Sequence, residues 1–261
     1  MAMEDFRLSE KNKCLMNSGS RGCQLKYKQG NKWFKINTNG YEDKAEYVSY
    51  LLLHCSNYSH YLKYYLCRIN DKPGCYSEDF LHDTEELVSF ERLYFTHTGK
   101  SLTMDVAAID NVKARIQFVI DFFRNEINLD ITDYLNYVIS LDFLTRNGDR
   151  HFNNLAVIHS EQGYTVAPIF DNGDSFFSSY AKFDPWLSIK ECVEKSSAQP
   201  FSGSFDEQFS CIENKLRINY TQFFSLLKKL DDCRCKEAAT CLLNQYESVF
   251  RDDSIITTFN D

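Results

Sequence analysis

The sequence predicts an α+β fold in two lobes, a small β-rich one followed by a larger, mainly helical one. Three observations carry this reading. Short strand-like segments and turn residues crowd the first 70 positions. Apolar residues recur at helical spacing over most of the remaining chain. The strongest turn signal, Asn70-Asp71-Lys72-Pro73-Gly74, falls between the two regimes. Strands first and helices after place the boundary at this turn, giving lobes of 1–70 and 71–261.

Near the N-terminus, Asn17-Ser-Gly-Ser-Arg-Gly22 is the densest cluster of small residues. Gln24–Lys28 and Lys32–Ile36 read as strands joined by Gln29-Gly30-Asn31, a hairpin. Ala45, Val48, Leu52 and Cys55, spaced three and four apart, mark a helix that begins near Glu42 and stops by Asn57. Tyr61–Ile69 is apolar and aromatic enough for one or two strands. Past the turn, Ile109, Val112, Ile116, Val119, Ile120 and Phe123 form a helical stripe. Leu135, Val138, Ile139 and the Asp142 to Leu144 run belong to a second helix that ends at Asn147-Gly148. Leu155–His159 and Tyr164–Ile169 read as a hairpin, and Tyr220 to Phe250 as helix again.

Composition narrows the function. At 43% hydrophobic and 25% charged, the 261 residues are of ordinary globular type with enough interior for a real core. A net charge of -8 with no run of five basic residues argues against nucleic acid as a direct partner. No apolar stretch approaches the roughly 20 residues of a membrane span. The charged start, Met1-Ala-Met-Glu-Asp5, has no apolar signal core, so the expected compartment is cytoplasmic, or that of a secreted effector without a signal peptide of the usual kind. The ten cysteines show no zinc spacing and read as reduced thiols packed as small hydrophobes.

Chemistry concentrates in Leu141-Asp-Phe-Leu-Thr-Arg-Asn-Gly-Asp149-Arg-His151-Phe-Asn-Asn154, followed by Pro168-Ile-Phe-Asp171-Asn-Gly. If the hairpin turns between Gln162 and Gly163, Asn154 faces Asp171 across it. An amide oxygen and a carboxylate so placed suit Mg²⁺. Asp174, the rival to Asp171, needs a bulge or a longer turn. Asp149, five residues before Asn154, lies where a carboxylate accepts a proton from an incoming hydroxyl. Asp-x4-Asn followed by a later metal-binding Asp is the arrangement of phosphoryl transfer in protein kinases. The remaining parts stand in kinase order. Backbone N–H groups of the Ser18, Gly19, Ser20 and Gly22 loop can cap phosphates, Lys35 lies on the second strand of the first hairpin, and Glu46 is early on the next helix.

These segments resemble the HipA-like serine/threonine kinases, in particular their compact stand-alone type. Asn-Gly-Asp149-Arg-His151-Phe-Asn-Asn154 matches their Asn-x-Asp-x-His-x-x-Asn loop, and Pro168-Ile-Phe-Asp171 their metal-binding Pro-x-Tyr/Phe-Asp. Lys32-Trp-Phe-Lys35-Ile and Gly40-Tyr-Glu-Asp-Lys-Ala-Glu46 look like the lysine strand and the start of its partner helix. The resemblance implies a protein-kinase-like bilobal fold, use of ATP and Mg²⁺, and transfer of the γ-phosphoryl group to a protein hydroxyl. It implies Asp149 as base, Asn154 and Asp171 as metal ligands and Lys35 on the phosphates. His151 reads as a proton shuttle or as a hydrogen-bonding brace of the loop. Adenine is expected near the Tyr64–Ile69 strand, with Cys67 in the nucleotide site. Ser18 and Ser20 either permit close backbone approach or accept phosphate by autophosphorylation. A regulatory protein partner is compatible with the resemblance. Two alternatives remain: a pseudokinase that binds nucleotide or a partner without turnover, and a phosphoinositide-type lipid kinase. Against the latter, Asp171 is followed by Asn-Gly where that class has Phe-Gly, and the chain has no basic membrane-facing stretch.

Overall fold

The computed structural model describes residues 4–13, 26–38 and 40–255. Ser18, Gly19, Ser20 and Gly22 of the expected phosphate loop lie outside the described residues. The chain forms two compact units. The first takes in the N-terminal residues to Phe80, Phe170–Ser196 and the segment from Arg217 onward. The second comprises Leu81–Ile169 and Ser197–Leu216.

The first unit is built on a five-stranded sheet of order β1-β4-β5-β3-β2. Its strands are β1 (Glu4–Phe6), β2 (Lys26–Gln29), β3 (Lys32–Ile36), β4 (Tyr65–Ile69) and β5 (Lys72–Glu78). Only the β1–β4 pair is parallel. The expected first hairpin forms with Gln29 opposite Lys32, and Gly30 takes the left-handed φ of 58° that its two-residue turn requires. Asn70 and Asp71 also adopt positive φ, at 50° and 65°, and join β4 to β5 within the same sheet. The strongest turn signal in the sequence therefore lies inside the sheet, and the boundary expected at 70/71 is corrected: β5 is the strand paired directly with β3. The short β1 was not foreseen, since three residues carry no readable alternation. It brings Phe6 to within 4.8 Å of Phe34 and 5.4 Å of Tyr76, ring centre to ring centre.

Helix α1 (Glu42–His54) packs against β4, β5 and the 3-10 turn Ser175–Phe177. It is buried almost all round, with Ala45, Val48, Tyr50, Leu51, Leu52 and Leu53 all inaccessible. A helix buried on nearly every side needs cover beyond the sheet. The cover comes from α8 (Tyr220–Leu227) and α9 (Arg234–Gln245), which pack on α1 with Phe223, Leu227, Ala238, Ala239 and Leu242 buried. The unit is completed by α6 (Ile189–Lys195) and α10 (Glu247–Phe250). The C-terminal helices thus belong with the N-terminal sheet, where the order of elements along the chain had grouped them with the other helices. The expected single helical stretch from Tyr220 to Phe250 is three helices.

The second unit holds β6 (Glu86–Ser89), β7 (Ala156–Ser160) and β8 (Gly163–Val166) in an antiparallel sheet of that order, with α2 (Phe90–Thr98), α3 (Leu102–Ala107), α4 (Val112–Glu126), α5 (Thr132–Thr145) and α7 (Phe205–Ser210). Ser89, Ser101 and Asn111 cap α2, α3 and α4 by accepting first-turn N–H groups. The stripe read for α4 is its buried face, and Phe90 meets Phe123 there at 4.2 Å between ring centres. Among the described residues, no helix is long and apolar enough to cross a membrane.

Gly40 sits where a side chain cannot. A Cβ there would lie 1.8 Å from the Ser178 carbonyl oxygen. Gly40→Ala is expected to destabilise the protein by about 1–3 kcal/mol, the usual cost of overpacking, and a urea or thermal unfolding midpoint checks it.

Candidate active site

In the first unit the site is built around one buried lysine. The pleat of β3 sends Phe34 and Ile36 to one face and Lys35 to the other. Phe34 and Ile36 anchor the strand in an apolar cluster with Leu8, Tyr27, Cys67, Ile69 and Tyr76. Lys35, only 8% exposed, projects toward α1, which presents Glu46 one turn into the helix at 0% exposure. The Lys35 ammonium donates to Glu46 Oε1 and, at 2.6 Å, to Asp171 Oδ1. Burial by itself disfavours the ammonium. The Asp171 and Glu46 carboxylates outweigh that and hold the Lys35 pKa well above its ordinary value.

Several groups fix these carboxylates. The Asn172 N–H donates to Glu46 Oε2 at 2.8 Å. Asp171 has a left-handed φ of 57°, and its N–H donates to the Tyr64 hydroxyl oxygen at 3.2 Å. The Tyr64 ring lies under the Lys35 ammonium, 5.3 Å from its centre. Burial first, and Glu46 next, push the Tyr64 phenol up from its ordinary pKa, so it stays neutral. Lys26 faces Lys35 across the β2–β3 pair and reaches Asp171 Oδ2 at 3.5 Å. Two lysines and two carboxylates thus form a cluster that is neutral as it stands. Asp174 is placed elsewhere, ion-paired with Lys182 at 2.7 Å.

The second unit carries the loop that comes after α5. The helix ends at Arg146 in the left-handed region, φ 55°. Behind the loop lies a buried ion pair: Arg150, 2% exposed, donates from Nε at 2.9 Å and from Nη2 at 3.1 Å to the two oxygens of Asp142. Asn147 donates to the same carboxylate at 3.1 Å and accepts the Asp149 N–H at 3.2 Å. Asn154 donates from its amide nitrogen to the Asp149 carbonyl at 2.8 Å. His151 braces the loop through its backbone, donating its N–H to Asp149 O at 2.9 Å and accepting the Asn154 N–H at 2.8 Å. Its ring Nδ1 has no hydrogen-bond partner among the described residues. The Asp149 carboxylate makes no hydrogen bond among the described residues, although its peptide group is held on both sides.

Two expectations are corrected. The β7–β8 hairpin pairs Ser160 with Gly163 and Val157 with Val166, so the turn centres one residue earlier than expected. Every partner shifts by two, and the position facing Asn154 becomes Ile169 instead of Asp171. The hairpin register therefore does not pair the two expected metal ligands. Cys67 is opposite Gly74 on β4, fully buried in the apolar cluster on the sheet face away from Lys35. Its place is that of a packed core thiol, and the residue across from Lys35 on β5 is Cys75.

Sequence reasoning missed Lys26, Tyr64, Asn172 and the Asp142–Arg150 pair. Lys26 was legible, because a two-residue turn at Gly30-Asn31 sets it opposite Lys35. The others had no signal before the chain was folded.

Comparison with solved structures bears on the fold. No protein-family model matches the chain, and no curated protein matches it. The proinflammatory kinase CtkA of Helicobacter pylori superposes with a TM-score of 0.61 over 95% of each chain, at 16% sequence identity. HipA of the Shewanella oneidensis MR-1 toxin–antitoxin system, solved with HipB and operator DNA, matches at a TM-score of 0.44 and 15% identity, over 89% of this chain and 55% of that one. The α+β chain thus has the fold of the CtkA kinase over nearly its whole length, in line with the resemblance read from its motifs.

Replacing Arg150 by Ala strands a buried carboxylate and is expected to cost about 3–5 kcal/mol in urea unfolding, whereas the double variant Asp142→Leu/Arg150→Met is expected to recover most of that loss.

Proposed function

We propose that the chain is an ATP- and Mg²⁺-dependent kinase that transfers the γ-phosphoryl group to a serine or threonine hydroxyl of a protein. The observation that carries this reading is the buried Lys35–Glu46–Asp171 cluster on a fold shared with a kinase. Phosphoryl transfer requires positioning and charge neutralisation more than covalent participation. Lys35, kept cationic and aimed by Glu46, is the group to hold phosphate oxygens, and Lys26 beside it doubles the positive charge available. When phosphate takes the Lys35 ammonium, Asp171 is relieved of the shorter of its two ion pairs.

Each expected ligand, taken within its own unit, has the chemistry of a hard-cation donor. Asp171 offers a carboxylate, and the Asn154 amide has its nitrogen committed to the Asp149 carbonyl, which leaves its oxygen as the ligating end. Bound Mg²⁺ would supply neutralisation of the charge on the transferring phosphoryl oxygens. Asp149 is the base of this reading. Its carboxylate takes the proton of the incoming hydroxyl as that oxygen bonds to phosphorus and ADP leaves. The role of His151 is to shape the loop through its backbone.

Phosphate transfer from labelled ATP to a cell lysate, read by phosphopeptide mass spectrometry, tests the assignment. Asp149→Ala is expected to lower transfer by about 10²–10⁴-fold with nucleotide binding retained. Undiminished transfer by this variant removes Asp149 as base. Asp171→Ala, which takes one of two counter-charges from the buried Lys35 ammonium, is expected to weaken Mg·ATP binding in calorimetry and to lower the unfolding midpoint. Calorimetric ATP binding by the wild type with no consumption of ATP overturns the kinase in favour of a binding module. Label appearing in phosphoinositide vesicles and not in peptides overturns the protein substrate.

A further inference from the structure

We propose that Asn37 and Asp43 are positioning residues that lock the lysine strand to the glutamate helix, so that Lys35 and Glu46 meet before any ligand binds. Asn37 lies two residues after Lys35, at the end of β3, and Asp43 three residues before Glu46, in the first turn of α1. Their side chains are joined reciprocally. Asn37 Nδ2 donates to Asp43 Oδ1 at 2.7 Å, and the Asp43 N–H donates to Asn37 Oδ1 at 2.9 Å. The Lys44 N–H donates to Asp43 Oδ1 as well, at 2.7 Å.

The second of these bonds is a helix cap in an unusual place. First-turn N–H groups have no partner within a helix, and the residue at the N-cap position normally accepts one. Tyr41 stands at that position in α1 and makes no such bond. The cap comes instead from Asn37, outside the helix and directly after the strand that carries Lys35. Capping α1 and setting its distance from β3 are therefore one interaction. Asn37 is in turn tied to the sheet through its own N–H, which donates to the Pro73 carbonyl at 3.2 Å.

Asp43 is only 3% exposed, and no cation pairs with it among the described residues. A buried carboxylate held by amide donors alone is a costly choice for a simple cap, since Ser or Thr would serve. Its short stem holds one oxygen, Oδ1, where it accepts from both the Asn37 amide and the Lys44 N–H. The rest of α1 is fixed too. The Tyr41 hydroxyl donates to the Phe176 carbonyl at 2.8 Å, and the Cys55 carbonyl at the far end accepts the Asn219 N–H at 2.7 Å. A helix advances about 1.5 Å and turns about 100° per residue, so a slip of one residue would carry Glu46 off the Lys35 ammonium. The pair at 37 and 43 is the contact that fixes this register from the strand side.

The functional consequence rests on the kinase reading above, but the structural claim is tested without it. Asn37→Asp sets two carboxylates against each other with no side-chain donor between them. The exchange Asn37→Asp/Asp43→Asn restores a donor and an acceptor with the amide on the opposite side. The probe is acylation of Lys35 by a small amine-reactive ester, followed by peptide mass spectrometry, with Mg·ADP affinity measured in parallel by calorimetry. Lys35 labelling is expected to rise at least about fivefold in Asn37→Asp, the signature of local opening, at unchanged circular dichroism. The exchanged variant is expected to return to within about twofold of the wild type, and Mg·ADP affinity to fall and recover in step. If Asn37→Asp does not fold, Asn37→Ala, which deletes donor and acceptor without adding charge, takes its place with the same expected rise. Unchanged Lys35 labelling in the single variant, or failure of the exchange to restore it, overturns the proposal. If the wild type binds no nucleotide, the kinase reading falls, while the labelling pattern still decides the role of Asn37 and Asp43.

Discussion

The Lys35 ammonium, buried between the Glu46 and Asp171 carboxylates, is the constraint on which the first unit is organised. A charge taken out of water must be met by opposite charge and by hydrogen bonds, or it is lost by neutralisation. Three separate segments meet it. The strand supplies Lys35, the helix Glu46, and the segment after residue 170 supplies Asp171 with the Asn172 N–H. None of these segments can move alone without stranding a buried charge. That requirement explains the surrounding detail: an apolar cluster that anchors the strand, a tyrosine that holds Asp171 in a left-handed conformation, and a helix covered on its far side by α8 and α9.

The second unit solves a related problem differently. Its loop carries Asp149, whose carboxylate is left unengaged among the described residues, while the peptide groups on either side of it are tied down. The Asp142–Arg150 ion pair supplies the rigid base, and Asn147, His151 and Asn154 fix the peptide groups on either side. The buried residues thus provide the geometry of the loop. The motif read from the sequence mixes the Arg150 and Asn147 side chains, which hold the loop, with an Asp149 carboxylate that takes no part in holding it.

Much of this was legible from residue order. Two short strand-like segments around Gln29-Gly30-Asn31 gave the β2–β3 hairpin, with its turn one residue longer than the Gly30-Asn31 turn that forms. Three- and four-residue spacing gave α1, α4 and α5, and motif spacing singled out Lys35, Glu46, Asp149, Asn154 and Asp171. What failed did so for identifiable reasons. The turn at Asn70 was read as a border because turn chemistry looks the same between two strands of one sheet as between two lobes. The β7–β8 register was off by two because Gly163, which invites a turn, sits just after it with φ 107°. Cys67 was assigned to the nucleotide site because nothing in a short apolar run reveals which face of the sheet a residue occupies.

The sequence by itself determined the local elements and the residue types that carry chemistry, because hydrophobic period, turn residues and short motifs act over a few positions. Only the tertiary structure decided which of them meet. It brought Asp171 to Lys35 across 136 positions, set Lys26 beside the same carboxylate, and returned the C-terminal helices to cover α1. These are outcomes of burial: a helix whose apolar residues extend beyond the face on the sheet must find a second partner, and a buried ammonium must find its counter-charges, wherever in the chain they lie.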